Sequence, residues 1–180
     1  GCELGAIRVY PDADFAGCIR TLSSTCAGVI LRGGSMMKAW SKTITTLALS
    51  SGESELSAMA KGAAEGLGLQ SILGDFGLDV KVAIHSDATA AIGIAARQGL
   101  GRIRHVAVAD LWIQQRLKAR AFSVAKVAGL DNMSDLMTKA LEATRIDLLL
   151  RMMGVNAKED DMIAAGAAVI ATSGDGGVMS

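Results

Sequence analysis

Aromatic residues, proline and long hydrophobic runs are all scarce in this chain of 180 residues. Aromatics make up 3% of the sequence, and Pro11 is its single proline. Although 51% of the residues are hydrophobic, no apolar run reaches the roughly 20 residues that a membrane-spanning helix needs. The first residues, from Gly1 to Leu4, have the form of neither a signal peptide nor a transit peptide. We therefore expect a protein that neither spans a membrane nor is secreted, and the lack of an initiator Met suits a fragment of a longer polyprotein.

Cysteine is sparse and the net charge is zero. The three cysteines, Cys2, Cys18 and Cys26, show no C-x-x-C spacing. An odd count without metal-binding spacing predicts free thiols in a reducing intracellular compartment, the cytoplasm or the nucleus. Lys and Arg number 18, as do Asp and Glu, so the total charge does not indicate a nucleic-acid partner. A local basic stripe would still be able to bind phosphates.

Hydrophobic periodicity predicts a run of strands followed by alternating helices and strands. Strands are predicted at 7–10, 27–31, 36–41, 80–84 and 122–124, and helices within 50–67, 88–98, 106–117, 131–140 and 146–153. The first strand is expected to stop at Pro11-Asp12, and residues 45–49 to extend or follow the third strand. Gly33-Gly34 indicates a turn, and Ser50 with Glu53 has the spacing of a helix-capping box. This order predicts an α/β protein with a mixed sheet flanked by helices.

Composition divides the chain into a domain and a tail. A chain of this length can bury roughly 70% of its unfolded surface, so its core needs no disulfides. Residues 1–154 are expected to form one domain. Residues 155–180 are rich in Ala, Gly and small polar residues and are expected to be a poorly ordered tail.

Four acidic residues are predicted to meet at one end of the sheet. Asp12 and Asp87 each close a predicted strand, Glu55 lies one turn into the first long helix, and Asp135 lies near the start of a later helix. Two carboxylates about 4 Å apart repel each other by roughly 4 kcal/mol at an effective dielectric constant of about 20. Bound divalent cations remove that cost, and hard oxygen ligands favour Mg²⁺ or Mn²⁺. Two such ions, roughly 3.5–4 Å apart, can hold a phosphodiester and activate water. Each acid taken singly is more often a helix cap or strand end than a ligand.

Several segments resemble the ribonuclease H domains of copia-type retrotransposons. The segments, in chain order, are Y-P-D-A-D-F-A-G at 10–17, S-T-C-A-G-V at 24–29, W-S-K at 40–42, A-L-S-S-G-E-S-E at 48–55, S-D-A-T-A-A at 86–91, R-H at 104–105 and D-N-M-S-D-L-M-T-K-A-L at 131–141. They are similar to the family words Y-S-D-A-D-W-A-G, S-T-S-G-x-V, W-S-S-K, A-L-S-S-T-E-A-E, C-D-N-Q-S-A, K/R-H and D-N-x-A-D-x-L-T-K-x-L. The resemblance covers about residues 9–141, with the words in order and at family spacing.

The resemblance implies a ribonuclease H-like fold with a mixed five-stranded sheet, a three-stranded antiparallel meander extended by parallel strands. It implies that Asp12, Glu55, Asp87 and Asp135 bind two Mg²⁺ or Mn²⁺ ions and catalyse hydrolysis of the RNA strand of an RNA–DNA hybrid. It also implies a reverse transcriptase in the same polyprotein. Asp14 ranks as a secondary candidate ligand. The residues expected to contact the hybrid are Ser24, Thr25, Arg102, Arg104 and His105.

A non-catalytic remnant that keeps the fold and binds nucleic acid is the alternative. Pro11 stands where the family has Ser or Thr, which removes a backbone donor beside the first ligand. Leu22-Ser23 replaces a basic pair of the family, and Ala88 replaces an Asn next to the third ligand. The intact acidic quartet favours the enzyme, whereas these departures favour the remnant.

Other polar residues allow a functional and a structural interpretation. The basic stretch 97–120 either binds phosphates or forms an ordinary solvated helix face. His85, two residues before Asp87, and Trp112 are better explained as flanking and core residues. The serines have no triad partners, so a serine hydrolase has almost no support.

Overall fold

The protein, seen in a computed structural model, is described here over residues 4–15, 24–44, 50–97 and 108–155, without the side chains of residues 108–110. Five strands of this described part form a mixed sheet: β1 (Ala6–Asp14), β2 (Thr25–Arg32), β3 (Ser35–Thr43), β4 (Lys81–Ser86) and β5 (Ser123–Lys126). The strand order is β3-β2-β1-β4-β5. β2 pairs antiparallel with β1 and β3, whereas β4 pairs parallel with β1 and β5. The predicted architecture, an antiparallel meander extended by parallel strands, is confirmed.

Helices pack on both faces of this sheet. Their bounds are α1 (Ser51–Asp75), α2 (Thr89–Ala96), α3 (Val108–Lys118), α4 (Asp135–Thr138) and α5 (Ala143–Met152). The main core joins one face to α1, α2 and α3 and contains Val9, Ile30, Met59 and Ile113. Successive side chains of a strand point to opposite faces, so Tyr10 belongs to a second core with the buried residues Val29, Leu31, Met133, Leu149 and Met153.

The capping and turn signals of the sequence are confirmed. The Ser50 hydroxyl accepts a hydrogen bond of 3.2 Å from the backbone N–H of Glu53, and α1 begins at the next residue, Ser51. Gly33 and Gly34 join β2 to β3 with φ angles of 59° and 87°. Two successive positive φ angles make the tight hairpin turn that glycine favours. The predicted extension at 45–49 lies outside the described residues.

β1 does not stop at Pro11, as the sequence analysis predicted, but continues to Asp14. The reason is the direction in which Pro11 presents its backbone. Its carbonyl accepts a hydrogen bond of 3.4 Å from Asn132, on the side away from its β2 partner Gly28. A strand residue presents its N–H and C=O on the same side, so the missing N–H of Pro11 costs the β1–β2 ladder nothing.

The predicted helix starting near Asp131 is also wrong in its first turn. Gly129–Asp131 form a 3₁₀ turn, and Asn132 follows with extended backbone at φ −81° and ψ 104°. The α-helix α4 begins only at Asp135. The interruption turns the Asn132 side chain towards β1, where it is fully buried.

The final described helix, α5, is followed by Gly154, whose φ of 71° suits the left-handed turn predicted there. Val155 is the last described residue, so the expected tail beyond it lies outside the described part of the chain. Within the ranges given above, no helix combines the length and apolar character that crossing a membrane requires.

Candidate active site

Two of the four predicted acids stand side by side at one end of the sheet. Asp12 lies near the C-terminal end of β1, and Asp87 directly follows β4. Because β1 and β4 are parallel neighbours, their C-terminal ends meet at the same edge. Asp12 is 1% exposed, which is unusual for a carboxylate that lacks compensating partners.

Asn132 joins these two carboxylates. Its Nδ2 lies 3.3 Å from Oδ1 of Asp12 and 3.2 Å from Oδ1 of Asp87. Its own Oδ1 accepts a hydrogen bond of 3.3 Å from the backbone N–H of Ser134. One neutral amide therefore donates to two acidic side chains on adjacent strands.

Asp135, Thr138 and Lys139 close the site from α4. The Thr138 hydroxyl donates to Oδ2 of Asp12, and the Lys139 ammonium donates to Oδ1 of Asp135. The same ammonium lies 3.7 Å from Oδ1 of Asp12. Lys139 is therefore a cation held between two of the four predicted ligands, with its side chain 44% exposed.

Glu55 brings the fourth carboxyl from α1. Burial, followed by the charges of Asp12 and Asp87, raises the pKa of Glu55 to about 8, while Lys139 and a backbone hydrogen bond from Ala13 oppose that rise. Burial also raises the pKa of Asp12, against the hydrogen bond from Thr138 and the charge of Lys139. These mutual effects show that the carboxyls of Asp12, Glu55 and Asp87 share one electrostatic environment.

The donor set suits a hard divalent cation, since all four candidate ligands are carboxylates. Burial disfavours the charged forms of Glu55 and Asp12, and a bound cation would relieve that cost. As they stand, no three acidic, His or Cys side chains of the described residues form a ready metal cluster. The Lys139 ammonium lies between Asp12 and Asp135, so a cation bound by both would have to displace it.

Two predicted hybrid contacts lie at the same edge. Thr25 begins β2, opposite Asp14 at the end of β1. Ser24 is buried, and its carbonyl accepts a hydrogen bond of 2.7 Å from the N–H of Ile44. The hybrid contacts of Ser24 and Thr25, and the secondary role of Asp14, stay predictions. Arg102, Arg104 and His105 lie outside the described residues.

The two aromatic contacts near these elements are structural. His85 stacks on Tyr10, with ring centroids 5.0 Å apart. Burial and then the charge of Arg8 lower the pKa of His85. Trp112 packs against the main core and carries the Arg116 guanidinium 5.8 Å from its ring centroid. The interpretation of Trp112 as a core residue is confirmed.

Sequence reasoning missed the three side chains that hold the acids in place. Asn132, Thr138 and Lys139 lie in the segment 131–141 that resembles a family word, but the sequence alone assigns them no role. The signal was their spacing around Asp135, at three residues before it and three and four after it. The sequence does not show that this segment contacts Asp12 and Asp87, because the contact depends on the pairing of β1 with β4.

Comparisons with known proteins agree with this geometry. The retrovirus-related Pol polyprotein from transposon TNT 1-94 of Nicotiana tabacum is 26% identical over 152 residues, which are 83% of this chain. The chain spans only 11% of that polyprotein. No protein-family model matches the chain.

The fold is supported by a solved structure with a TM-score above 0.5. LC11-RNase H1, isolated from compost by a metagenomic approach, has a TM-score of 0.53 and 18% identity, covering 73% of this chain and 91% of that one. RNase H1 from the halophilic archaeon Halobacterium salinarum NRC-1 has a TM-score of 0.45 and 18% identity, covering 72% of this chain and 91% of that one. The chain has a ribonuclease H-like fold and is similar in sequence to a copia-type retrotransposon Pol polyprotein, which confirms the resemblance of its motifs.

Proposed function

We propose that this domain is a metal-dependent endonuclease that hydrolyses the RNA strand of an RNA–DNA hybrid. It would act as part of a retrotransposon polyprotein that also contains a reverse transcriptase. The observation that carries the proposal is the bridging of Asp12 and Asp87 by Asn132 at one end of the sheet. The charge of Asp135 acts there on Asp12, and the charges of Asp12 and Asp87 act on Glu55. A site of four carboxylates, without a nucleophilic Ser or Cys, suits phosphoryl chemistry.

The four acids would bind two Mg²⁺ or Mn²⁺ ions. When bound, the ions would supply a metal-activated water and positive charge at the leaving oxygen. Asp12 lies in β1 and Asp87 directly follows β4, so the parallel pairing of these strands brings the two residues to the same edge of the sheet. Glu55 would exchange its proton for metal contact. Lys139 would move away from Asp12 and remain close enough to contact a phosphate.

Substrate choice would depend on residues beside this end of the sheet. Ser24 and Thr25 stand there, and the basic residues Arg102 and Arg104 belong to the segment between α2 and α3. Phosphate contacts by such residues position a hybrid without reading its sequence. Recognition of the RNA strand would rest on its 2′-hydroxyls.

The test is cleavage of a hybrid whose two strands carry different labels, in Mg²⁺ or Mn²⁺ and in chelator. We expect fragments of the RNA strand with either metal, an intact DNA strand, and no product in chelator. Asp87→Asn keeps the size of the side chain but removes its charge, and it should give no detectable product. Folded wild-type protein that leaves the RNA strand intact would contradict the proposal.

A non-catalytic remnant is the rival function. Such a protein would bind the hybrid with a salt-dependent affinity but would not cut it in any metal. The replaced basic pair at Leu22-Ser23, Ala88 and Pro11 are the departures that favour it, although Pro11 does not interrupt β1.

A further inference from the structure

Asn132 holds a position that its part in the loop does not explain. It is 0% exposed, and all three acceptors of its Nδ2 belong to the acidic end of the sheet. They are the carbonyl of Pro11 at 3.4 Å and one carboxylate oxygen each of Asp12 and Asp87. An amide NH₂ carries two hydrogens, so these acceptors fully occupy it.

The orientation of this amide is fixed by its surroundings. Oδ1 of Asn132 accepts from the Ser134 N–H two residues later, which is the pattern of an Asx turn. Exchanging O and N would place a carbonyl oxygen against two carboxylates and an N–H₂ against an N–H. The amide group therefore faces the acids with its donors alone.

We infer that Asn132 is a positioning residue that sets the separation of Asp12 and Asp87 for metal binding. The inference rests on the proposed function. The two carboxylates are like charges on neighbouring strands, and without a shared donor they would turn apart. A neutral donor holds them together without cancelling their charge, whereas a cation in its place would compete with the metal. Groups that orient metal ligands in this way commonly change metal affinity by about 10–100-fold when they are replaced.

A structural role alone would give a different result from a positioning role. The bond from Asn132 to Pro11 ties the loop to β1, so losing it lowers stability in either case. The metal affinity of the folded protein is the quantity that separates them.

The test uses Asn132→Ser and Asn132→Ala in the full chain. Serine can still accept from the Ser134 N–H, because hydroxyls form the same turn more weakly, but its side chain is too short to reach both carboxylates. The matched control is Gln114→Ala on α3. It removes another buried side-chain amide, which donates a hydrogen bond of 3.0 Å to the backbone carbonyl of Ile94 on α2. Melting curves in chelator establish that each variant is folded, and calorimetric titration with Mn²⁺ gives its metal affinity.

We expect Mn²⁺ affinity to fall about tenfold or more in both Asn132 variants and to stay at the wild-type value in Gln114→Ala. The Mn²⁺ concentration that half-saturates hybrid cleavage should rise in parallel. If Asn132→Ser melts cooperatively and binds Mn²⁺ as tightly as the wild type, the inference is overturned while the proposed function stands. A wild type that does not bind Mn²⁺ would overturn both.

Discussion

Asp12 is a buried acid and Glu55 a partly buried one, and the ionisation of both works against the folded state. The pKa of Glu55 is raised to about 8, chiefly by burial, from a usual value of 4.5. Between these two values the folded protein binds more protons than the unfolded chain, so stability falls as pH rises. The pKa of Asp12 is raised by the same main cause and adds to the trend.

The first prediction follows from that sign. In chelator, the melting temperature should fall from pH 5 to pH 8, and Glu55→Gln should flatten the decline. Glu65→Gln, on the same helix, is the control, because hydrogen bonds from Lys38 and Lys61 lower the pKa of Glu65. The stability contributed by ionised Glu65 is lost only as pH falls below the usual pKa of a glutamate side chain. Glu65→Gln should therefore keep the wild-type slope between pH 5 and pH 8. An equal slope in wild type and Glu55→Gln would show that Glu55 is not buried among acids.

The second prediction for a single residue concerns Lys139. Lys139→Met should lower metal-free stability by roughly 1 kcal/mol, because Asp12 and Asp135 lose a cation whose own side chain is partly exposed. It should also tighten Mn²⁺ binding, since no resident cation has to be displaced. Melting in chelator and calorimetric titration measure the two effects.

The control for Lys139 is Arg151→Met. Arg151 and Asp147 form an exposed ion pair at the same i, i+4 spacing on α5, where such pairs contribute roughly 0.3–0.5 kcal/mol. Weaker Mn²⁺ binding by Lys139→Met would mean that the ammonium supports the metal site and does not compete with it.

At the scale of elements, the close approach of α1 to the sheet positions Glu55. Gly66 faces β1 and β4, where an added Cβ would lie 2.9 Å from methyl carbons of both Val9 and Val82. A Cβ added at Gly68, two residues further along the helix, would have no atom within 4 Å. Gly66 therefore allows the close approach of α1 to the sheet, whereas Gly68 has no part in it.

These two glycines give opposite predictions. Gly68→Ala should stabilise the protein by up to about 1 kcal/mol through helix propensity alone. Gly66→Ala should destabilise it by roughly 1–3 kcal/mol, because overpacking outweighs the same propensity gain. Urea unfolding of both variants measures the difference. If both alanines stabilise the protein equally, α1 does not lie as close to the sheet as described.

Local signals predicted these elements well and their interruptions poorly. The S-x-x-E spacing at Ser50 and the glycine pair at 33–34 depend on neighbouring residues alone, and both were predicted correctly. The alternation of residues 7–10 predicts a strand that stops at Pro11-Asp12, whereas β1 continues to Asp14. Whether a strand tolerates a proline depends on which side of the strand its backbone faces. At Pro11 the carbonyl faces Asn132, which lies 121 residues away in sequence.

Across the whole molecule, the sheet order decides which acids meet. The order of strands and helices predicted a mixed sheet, and the resemblance of the motifs supplied its topology. The four acids were identified from the motifs, and the pairing of β1 with β4 brings Asp12 and Asp87 together as expected. The bridging by Asn132 and the position of Lys139 could not be predicted, because both arise from contacts between segments more than 40 residues apart in sequence.

The central claim is that these acids form one divalent cation site. Anomalous diffraction from a crystal soaked in Mn²⁺ tests it most directly. We predict anomalous density bounded by Asp12, Glu55, Asp87 and Asp135, with the Lys139 ammonium withdrawn from between Asp12 and Asp135. Density at another place, or no density there with Lys139 still on Asp135, would contradict the account.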